Sequence, residues 1–390
     1  MNGGLPAQAY AAALASFPDM SLHRMLALLR HHPADEAFAV ATGDAPPPPG
    51  GLIERVVADS AVRESWRLSA ERCNPEEIWQ RCLDLGLDVS VIGDPAHPAL
   101  LRHDPLPPPV LFSRGDRSLL DGRRVALVGT RNATAAGRHL ARAFGFGLAG
   151  AGVHVVSGLA RGIDGHAHAG AFEATTADRG RPVAVVASGL DVVYPPEHRQ
   201  LWHRVGEEGL LLSEAAPGVA PTAFRFPLRN RLIAALSEIV VVVESRATGG
   251  SLITASLAAE RGVPVMAVPG GAASRSAVGV NALLRDGSAP ALDVDDVLIA
   301  LALDHSRSAP TLFDHRVRPR HDDLTSYRVC AERASTIGEV AQRTGAPLID
   351  VAMSLARLEQ AGWLAQVDGW FEAVGAPLVD RSGRLPGGAR

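Results

Sequence analysis

Between residues 125 and 290 the chain repeats one arrangement. An apolar run rich in valine is followed by a tight cluster of Gly, Ser, Thr or Arg, and then by apolar positions at helical spacing. The runs occupy 125–131, 153–164, 182–195, 210–218, 239–254 and 263–271. Continuous β-branched runs without polar alternation are those of strands buried on both faces, hence parallel and covered by helices. The small polar clusters then fall at the carboxyl ends of the strands, where an open parallel sheet holds its ligands. One edge of the sheet is therefore predicted to carry backbone amides, hydroxyls and arginines, a chemistry suited to phosphate.

On either side the pattern changes. Residues 1–92 show apolar positions three and four apart, as in a small helical domain, with the loop 46–51 inside it. Residues 93–120 are rich in proline and read as an extended connector, with a strand-like run at 110–112. The sheet domain is expected over 121–303, followed by a charged linker without periodicity over 304–324. In 325–376, Thr336 and Glu339 form a capping box opening a helix to about Gln342. Pro347 suits the first turn of a second helix to about Gln360, and Asp368-Gly369 marks a hairpin. Helix, turn, helix, hairpin is the order of a winged-helix domain. The tail 377–390 is expected to be disordered.

Charge and composition narrow the chemistry. The 390 residues carry a formal net charge of −4, so any nucleic-acid site must be a local patch. All 38 basic residues are arginine. A Schiff-base lysine, a Walker lysine and a lysine base are thereby excluded, and phosphate contacts fall to guanidiniums, hydroxyls and amides. Cys73, Cys82 and Cys330 are an odd and scattered set, unsuited to a disulfide framework or a zinc cluster. The start lacks the basic and apolar regions of a signal peptide, and no run has the length of a membrane span. A cytoplasmic protein without membrane partners is expected.

Four turns carry candidate chemistry. Gly129, Thr130 and Arg131 end the first strand before a helix over 135–149, so helix amides and a guanidinium can meet an anion there. The G-x-G-x-x-G pattern of dinucleotide binders is missing. The second strand ends in Ser157, Gly158 and Arg161, with Asp164 as the expected cap of a helix over 166–174. His166 and His168 lie about 200° apart on that helix, which argues against a metal site. At 224–231, Arg225, Arg229, Asn230 and Arg231 surround Pro227, the expected helix start, and interleave with Phe224 and Phe226. Such a segment serves a single strand by stacking and phosphate contact, or is simply a core aromatic pair with a solvated basic face. Gly249 and Gly250 lead into Ser251 and Thr254, with a helix opening near Leu252. The 268–271 turn repeats the theme. Ser157, Ser188 and Ser213 sit at strand ends without a paired base, so no nucleophile is indicated.

These segments, in order, resemble the DNA processing protein A family, also called DprA or Smf. The likeness is carried by the lead-in over 97–116, V-A-L-V-G-T-R, V-V-S-G-L-A-R-G-I-D-G-H-A-H, S-G-L-D-V-V-Y-P, F-P-L-R-N-R-L-I and G-G-S-L-I-T-A-S, spanning about 97–290. The resemblance implies an extended Rossmann-like, doubly wound α/β sheet between a small SAM- or helix-hairpin-like domain and a winged helix. It implies a non-catalytic recombination mediator that binds and protects incoming single-stranded DNA and helps load the RecA recombinase during natural transformation. No cofactor is implied, and a homodimer is, with 280–285 as a candidate contact. Carried over by position, Arg131, Arg225, Arg229 and Arg231 would touch phosphates, and Gly249, Gly250, Ser251 and Thr254 would shape the pocket; Ser188 and Gly189 belong to the matching S-G-L-D segment. Relatives often place lysines after the Y-P motif and before F-x-F-P. Here those neighbourhoods have none, so arginines such as Arg161 and Arg199 must substitute.

Two other functions compete. The sheet also resembles that of nucleoside-monophosphate phosphoribohydrolases, but the glycine turn lacks the glutamate that an oxocarbenium chemistry needs. A duplex-reading regulator would use the winged helix, whose second helix carries Asp350, Ser354, Arg357, Glu359 and Gln360 and is slightly acidic, against what phosphate attraction requires.

Overall fold

A computed structural model describes residues 4–30, 32–47, 52–57, 59–70, 72–303, 318–367 and 369–373. The chain divides into two compact units, 1–298 and 299–390.

The first unit opens with helices α1 (Ala7–Ala15), α2 (Leu22–Leu29), α3 (Ala34–Thr42), α4 (Leu52–Val57), α5 (Ser60–Ala70) and α6 (Pro75–Asp84). Strand β1 (Asp88–Val91), the short helix α7 (Ala99–Arg102) and β2 (Val110–Gly115) follow. Alternating strands and helices come next: β3 (Arg124–Gly129), α8 (Ala135–Gly150), β4 (His154–Ser157), α9 (Ile163–Ala171), β5 (Pro182–Val185), α10 (Arg199–Glu208) and β6 (Leu210–Ser213). The second half holds α11 (Arg225–Ala235), β7 (Ile239–Glu244), α12 (Gly250–Ala259), β8 (Val265–Ala267), α13 (Val278–Arg285) and β9 (Ala289–Pro290). The division between the units falls within α14 (Val294–Leu303).

One nine-stranded sheet organises this unit, in the order β1-β2-β6-β5-β4-β3-β7-β8-β9. Strands β3 to β9 pair in parallel, whereas β1 with β2 and β2 with β6 are antiparallel. The mostly parallel sheet is therefore as expected, but it starts earlier than residue 121. The span 93–120 carries a full strand and α7, and residue 110 onward is sheet core, with Val110, Leu111 and Phe112 buried. The run at 110–112 is strand-like in sequence but set within a connector; the prolines 107–109 before it read as linker and hide that it extends to Gly115 and joins the sheet.

Side chains alternate between two cores. On one face Val89, Phe112, Ala184 and Leu211 join Trp202 of α10 and the helices α1 to α6 in a continuous cluster. On the other Leu111, Val185, Leu212, Val128 and Val242 pack against α11, α12 and α13. The N-terminal helices thus share their core with the sheet. The chain winds β3, β4, β5, β6 outward to one side, then returns to place β7 on the other side of β3. The gap between β3 and β7 is the topological switch point, where the two following loops diverge and leave a crevice.

The second unit contains α15 (Leu324–Glu332), β10 (Ser335–Thr336), α16 (Ile337–Thr344), α17 (Leu348–Gln360), β11 (Leu364–Val367) and β12 (Trp370–Ala373), with sheet order β10-β12-β11. The expected capping box is formed: Thr336 Oγ1 accepts from the Glu339 amide, and Glu339 accepts from the Thr336 amide. The first helix runs two residues past Gln342, to Thr344, before Gly345 turns left-handed. Tyr327, Leu355, Leu358, Trp363 and Phe371 fill its core. Asp368, most of the 304–324 linker and the 377–390 tail lie outside the described residues.

Candidate nucleic-acid interface

A depression of about 650 Å³ opens at the switch point. Its lining comes from the β3 turn (Gly129, Thr130, Arg131), the β4 turn (Ala160, Asp164), Tyr194, α11 (Phe226, Arg229, Asn230) and the turn from β7 into α12 (Ser245, Arg246, Thr248, Gly249, Gly250, Ser251, Thr254). Three guanidiniums and one carboxylate are among the lining residues. The depression is thus locally positive in a chain that is negative overall.

The β3 turn is fixed by its neighbours. The Thr130 amide donates to the Glu244 carbonyl at 2.8 Å, tying the ends of β3 and β7 together. Thr134 caps α8, accepting from Gly137 at 3.0 Å, and its own amide donates to Glu244 Oε2 at 2.9 Å. Glu244 is therefore a brace and does not face the depression. Arg131 is exposed, and its guanidinium carbon lies 4.4 Å from the centroid of Phe226, whose ring in turn packs at 5.6 Å on Tyr194. No ion pair of Arg131 or of Arg246 occurs among the described residues. Arg131 is held by an aromatic face with its N–H fork unspent.

The α12 turn supplies the amides. Gly249 is the N-cap and Gly250 the first residue of this ten-residue helix, two positions earlier than the expected opening. Neither glycine is needed for backbone conformation: Gly249 is extended at φ −167°, and neither has positive φ. A methyl group at Gly249 would meet only Ser245 Oγ (3.3 Å) and Ser251 Oγ (3.7 Å), and one at Gly250 only Asn230 Nδ2 at 3.9 Å. It would stand in the space of the depression. Bare glycines beside first-turn amides leave room for an anion to approach the positive end of a helix. The hydroxyls work inward: Ser251 Oγ donates to Ser245 Oγ at 3.0 Å, and Thr254 Oγ1 to the Gly250 carbonyl at 3.2 Å. Asn230 Nδ2 donates to the same carbonyl at 3.2 Å. These three shape the turn.

Other expected contacts are placed differently. Helix α11 begins at Arg225 rather than Pro227, which turns Arg225 away from the switch point and stacks it 5.4 Å from the ring centroid of Phe224. Arg229 is buried: Nη1 donates to the carbonyls of Gly158, at 2.9 Å, and Val185. Burial pulls its pKa down to about 10, opposed by the nearby Asp164. Arg231, 2% exposed, forms an internal ion pair with Glu214, so its guanidinium is not available to phosphate. Arg161 pairs with Glu197 at 2.7 Å on the surface. Ser157 and Ser188 are buried and donate to the carbonyls of Leu127 and Val192. The amides of Gly158 and Gly189 are committed to Asp164 and the Val219 carbonyl. Asp164 is not a helix cap. Helix α9 starts at Ile163 behind Gly162, and the Asp164 carboxylate sits in the first turn accepting the amides of Gly158 and Ala160. Burial pushes its pKa upward, against Arg229. The 268–271 turn makes no part of the depression; Gly270 is bonded to Asn281 at 3.2 Å.

Among the described residues no group of three or more His, Cys, Asp or Glu is arranged to hold a metal. Burial depresses His168 to about 3.

Residues 88–302 match the family model described as DNA recombination-mediator protein A. The chain belongs to that family. It is 39% identical over 249 residues to the DNA processing protein DprA of Bacillus subtilis (strain 168), covering 63% of this chain and 82% of that one. Protein Smf of Escherichia coli (strain K12) is 34% identical over 270 residues, 68% of this chain and 71% of that one. Among solved structures, the DNA processing protein A of Streptococcus pneumoniae superposes with a TM-score of 0.63 at 29% identity, over 76% of this chain and 98% of that one. The family match begins at residue 88, the first residue of β1, in agreement with the sheet starting earlier than the motifs indicate. Arg246 was the residue that the sequence left unweighted. It stands three positions before Gly249 in a segment already marked as chemistry-bearing, and that proximity was the available signal.

Proposed function

We propose that the switch-point depression binds the phosphate backbone of single-stranded DNA and that the protein is a non-catalytic recombination mediator. One observation carries this: Arg131 and Arg246, neither in an ion pair among the described residues, line the depression beside a helix N-terminus whose two glycines the backbone does not require. Guanidiniums and bare amides around a recess form a phosphate site. Phe224, 63% exposed beside Arg225, offers a ring face for a base, which favours an unpaired strand over a duplex.

The carboxylate lining the depression is spoken for by two amides, which favours binding over glycosidic cleavage. Family membership supports the further expectations: protection of incoming DNA, loading of RecA during natural transformation, a homodimer and a cytoplasmic location. Among the described residues no helix is long and apolar enough to cross a membrane. The order helix, strand, two helices, two strands in the second unit supports a winged helix there. The acidic α17 fits a protein contact better than duplex DNA. The small N-terminal helices support the SAM- or helix-hairpin-like reading.

Gel retardation tests the proposal. Arg131→Ala and Arg246→Ala are expected to weaken retention of a labelled oligothymidylate, and unlabelled single strand to compete better than duplex. Wild-type retention in both variants would remove the depression from the function.

A further inference from the structure

A second depression, about 610 Å³, lies further along the same edge of the sheet. Its inner wall is the carboxyl ends of β5 and β6, with Val186, Ala187, Ser213 and Glu214. Its outer wall is the turn between α1 and α2. Arg229 lines both depressions and so stands between them. From β3 to β6 is three strand spacings, about 14 Å, a distance that a short run of nucleotides spans.

The outer wall is a fixed structure. The Trp66 ring N–H donates to the Pro18 carbonyl at 2.8 Å, Asp19 is left-handed at φ 54°, and Arg24 Nη1 donates to the Asp19 carbonyl at 2.7 Å. Arg24 keeps the rest of its fork. Opposite stand Arg225, with no ion pair among the described residues, and Leu228, 45% exposed on α11. Glu214 is answered by Arg231. The recess therefore combines an apolar floor, an exposed aliphatic side chain and a rim on which Arg24 and Arg225 outweigh the one exposed carboxylate, Asp19. That is the chemistry of a nucleobase with its phosphate, and the recess continues directly from the first site.

Resting on the single-strand reading above, we propose that this recess takes a further nucleotide of the same strand. The turn between α1 and α2 is then part of the nucleic-acid site, with Arg24 contacting the backbone and Leu228 flanking the base.

Fluorescence anisotropy on the full chain with labelled oligothymidylates of about two nucleotides, too short to reach from one recess to the other, and about fifteen nucleotides tests it. Arg24→Glu and Leu228→Asp are expected to weaken binding of the longer strand about tenfold and leave the shorter unchanged. Arg131→Ala is expected to weaken both. Matching thermal melts establish that the surface variants fold. If Arg24→Glu and Leu228→Asp alter neither length, or both alike, while Arg131→Ala still weakens both, the second recess is overturned and the first site stands. If Arg131→Ala changes neither length, both readings fall.

Discussion

Gly158→Ala probes the part of the site where structure and sequence disagree most. The Gly158 position would bring a methyl group within 2.5–2.7 Å of the Arg229 guanidinium atoms. That guanidinium is not free to swing aside, because Nη1 is held by the carbonyls of Gly158 and Val185 inside the protein. Making room breaks at least one bond to a charged donor, about 1.5–3 kcal/mol, and leaves a buried carbonyl unpaired at a further 1–3 kcal/mol, partly offset by relaxation. A net loss of about 2–4 kcal/mol follows, which for a unit of this size lowers Tm by roughly 3–6 °C. Arg229→Met alone strips Asp164 of its counter-charge and is expected to cost about 3–5 kcal/mol.

Combining the two distinguishes a steric mechanism from a general loss. With methionine at 229 the added methyl no longer meets the guanidinium, so the double variant should be more stable than the sum of singles predicts, by at least about 1 kcal/mol. Urea unfolding followed by circular dichroism measures all four corners of the cycle. Additive losses, or Gly158→Ala as stable as wild type, would refute the assignment of Arg229 as an internal bolt.

Three other outcomes are expected. Arg131→Ala should reduce the slope of log K against log salt for single-stranded DNA by about 0.7, one phosphate's worth, while Tm changes little because the side chain is exposed; an unchanged slope would place the phosphate elsewhere. The imidazoles of His97 and His154, held near 4, and His168, near 3, all mainly by burial, should stay neutral in the folded protein at pH 5. The unfolded chain takes up those protons from about pH 6.5 downward, so each ring removes stability as pH falls from 6.5 towards 4, about 2 kcal/mol by pH 5; imidazole NMR resonances that titrate near 6.5 in the folded state would contradict it. Arg231→Met should cost stability by leaving the partly buried Glu214 without its counter-charge, roughly 1–3 kcal/mol, and should leave retention of a dinucleotide at the switch point unchanged at temperatures where the variant is folded; a loss of dinucleotide affinity would return Arg231 to that site.

The parallel strands were legible because valine runs such as 239–243 have only one good use, a strand covered on both faces. Strand β1, four residues long, was not, and β2 was legible only as a strand-like run at 110–112, because an antiparallel strand behind a proline tract does not announce its place in the sheet. The site was half legible. Gly129, Arg131, Gly249 and Gly250 meet as their positions at strand ends imply. The arginines of 224–231 were taken together, yet residues 229 and 231 lie about 200° apart on a helix, so both could not face one recess. That signal was present in the spacing. The partner of Arg231, Glu214, belongs to a segment 17 residues away, and nothing local announces the pair. Likewise, that Gly158 makes space for Arg229 rather than for a phosphate depends on two elements meeting.

A chain whose every cation is arginine changes what a basic cluster means. Lysine is rarely buried, so in most proteins charge density already points outward; arginine, with a planar fork and weak hydration, can be stored inside against carbonyls and carboxylates. Here Arg123, Arg124, Arg229 and Arg231 are all buried. Arg123 pairs with Glu238, and Arg124 donates to backbone carbonyls. Density of arginine in the sequence is therefore a weak pointer to a polyanion. The stronger pointer is an arginine for which the fold supplies no counter-charge, set where the backbone has been left bare. Among the described residues Arg131 and Arg246 form no ion pair, and they stand with Gly249 and Gly250 at the gap where the sheet reverses its winding. Those four residues, and not the arginine-rich segment 224–231 as a whole, carry the phosphate chemistry of the switch point.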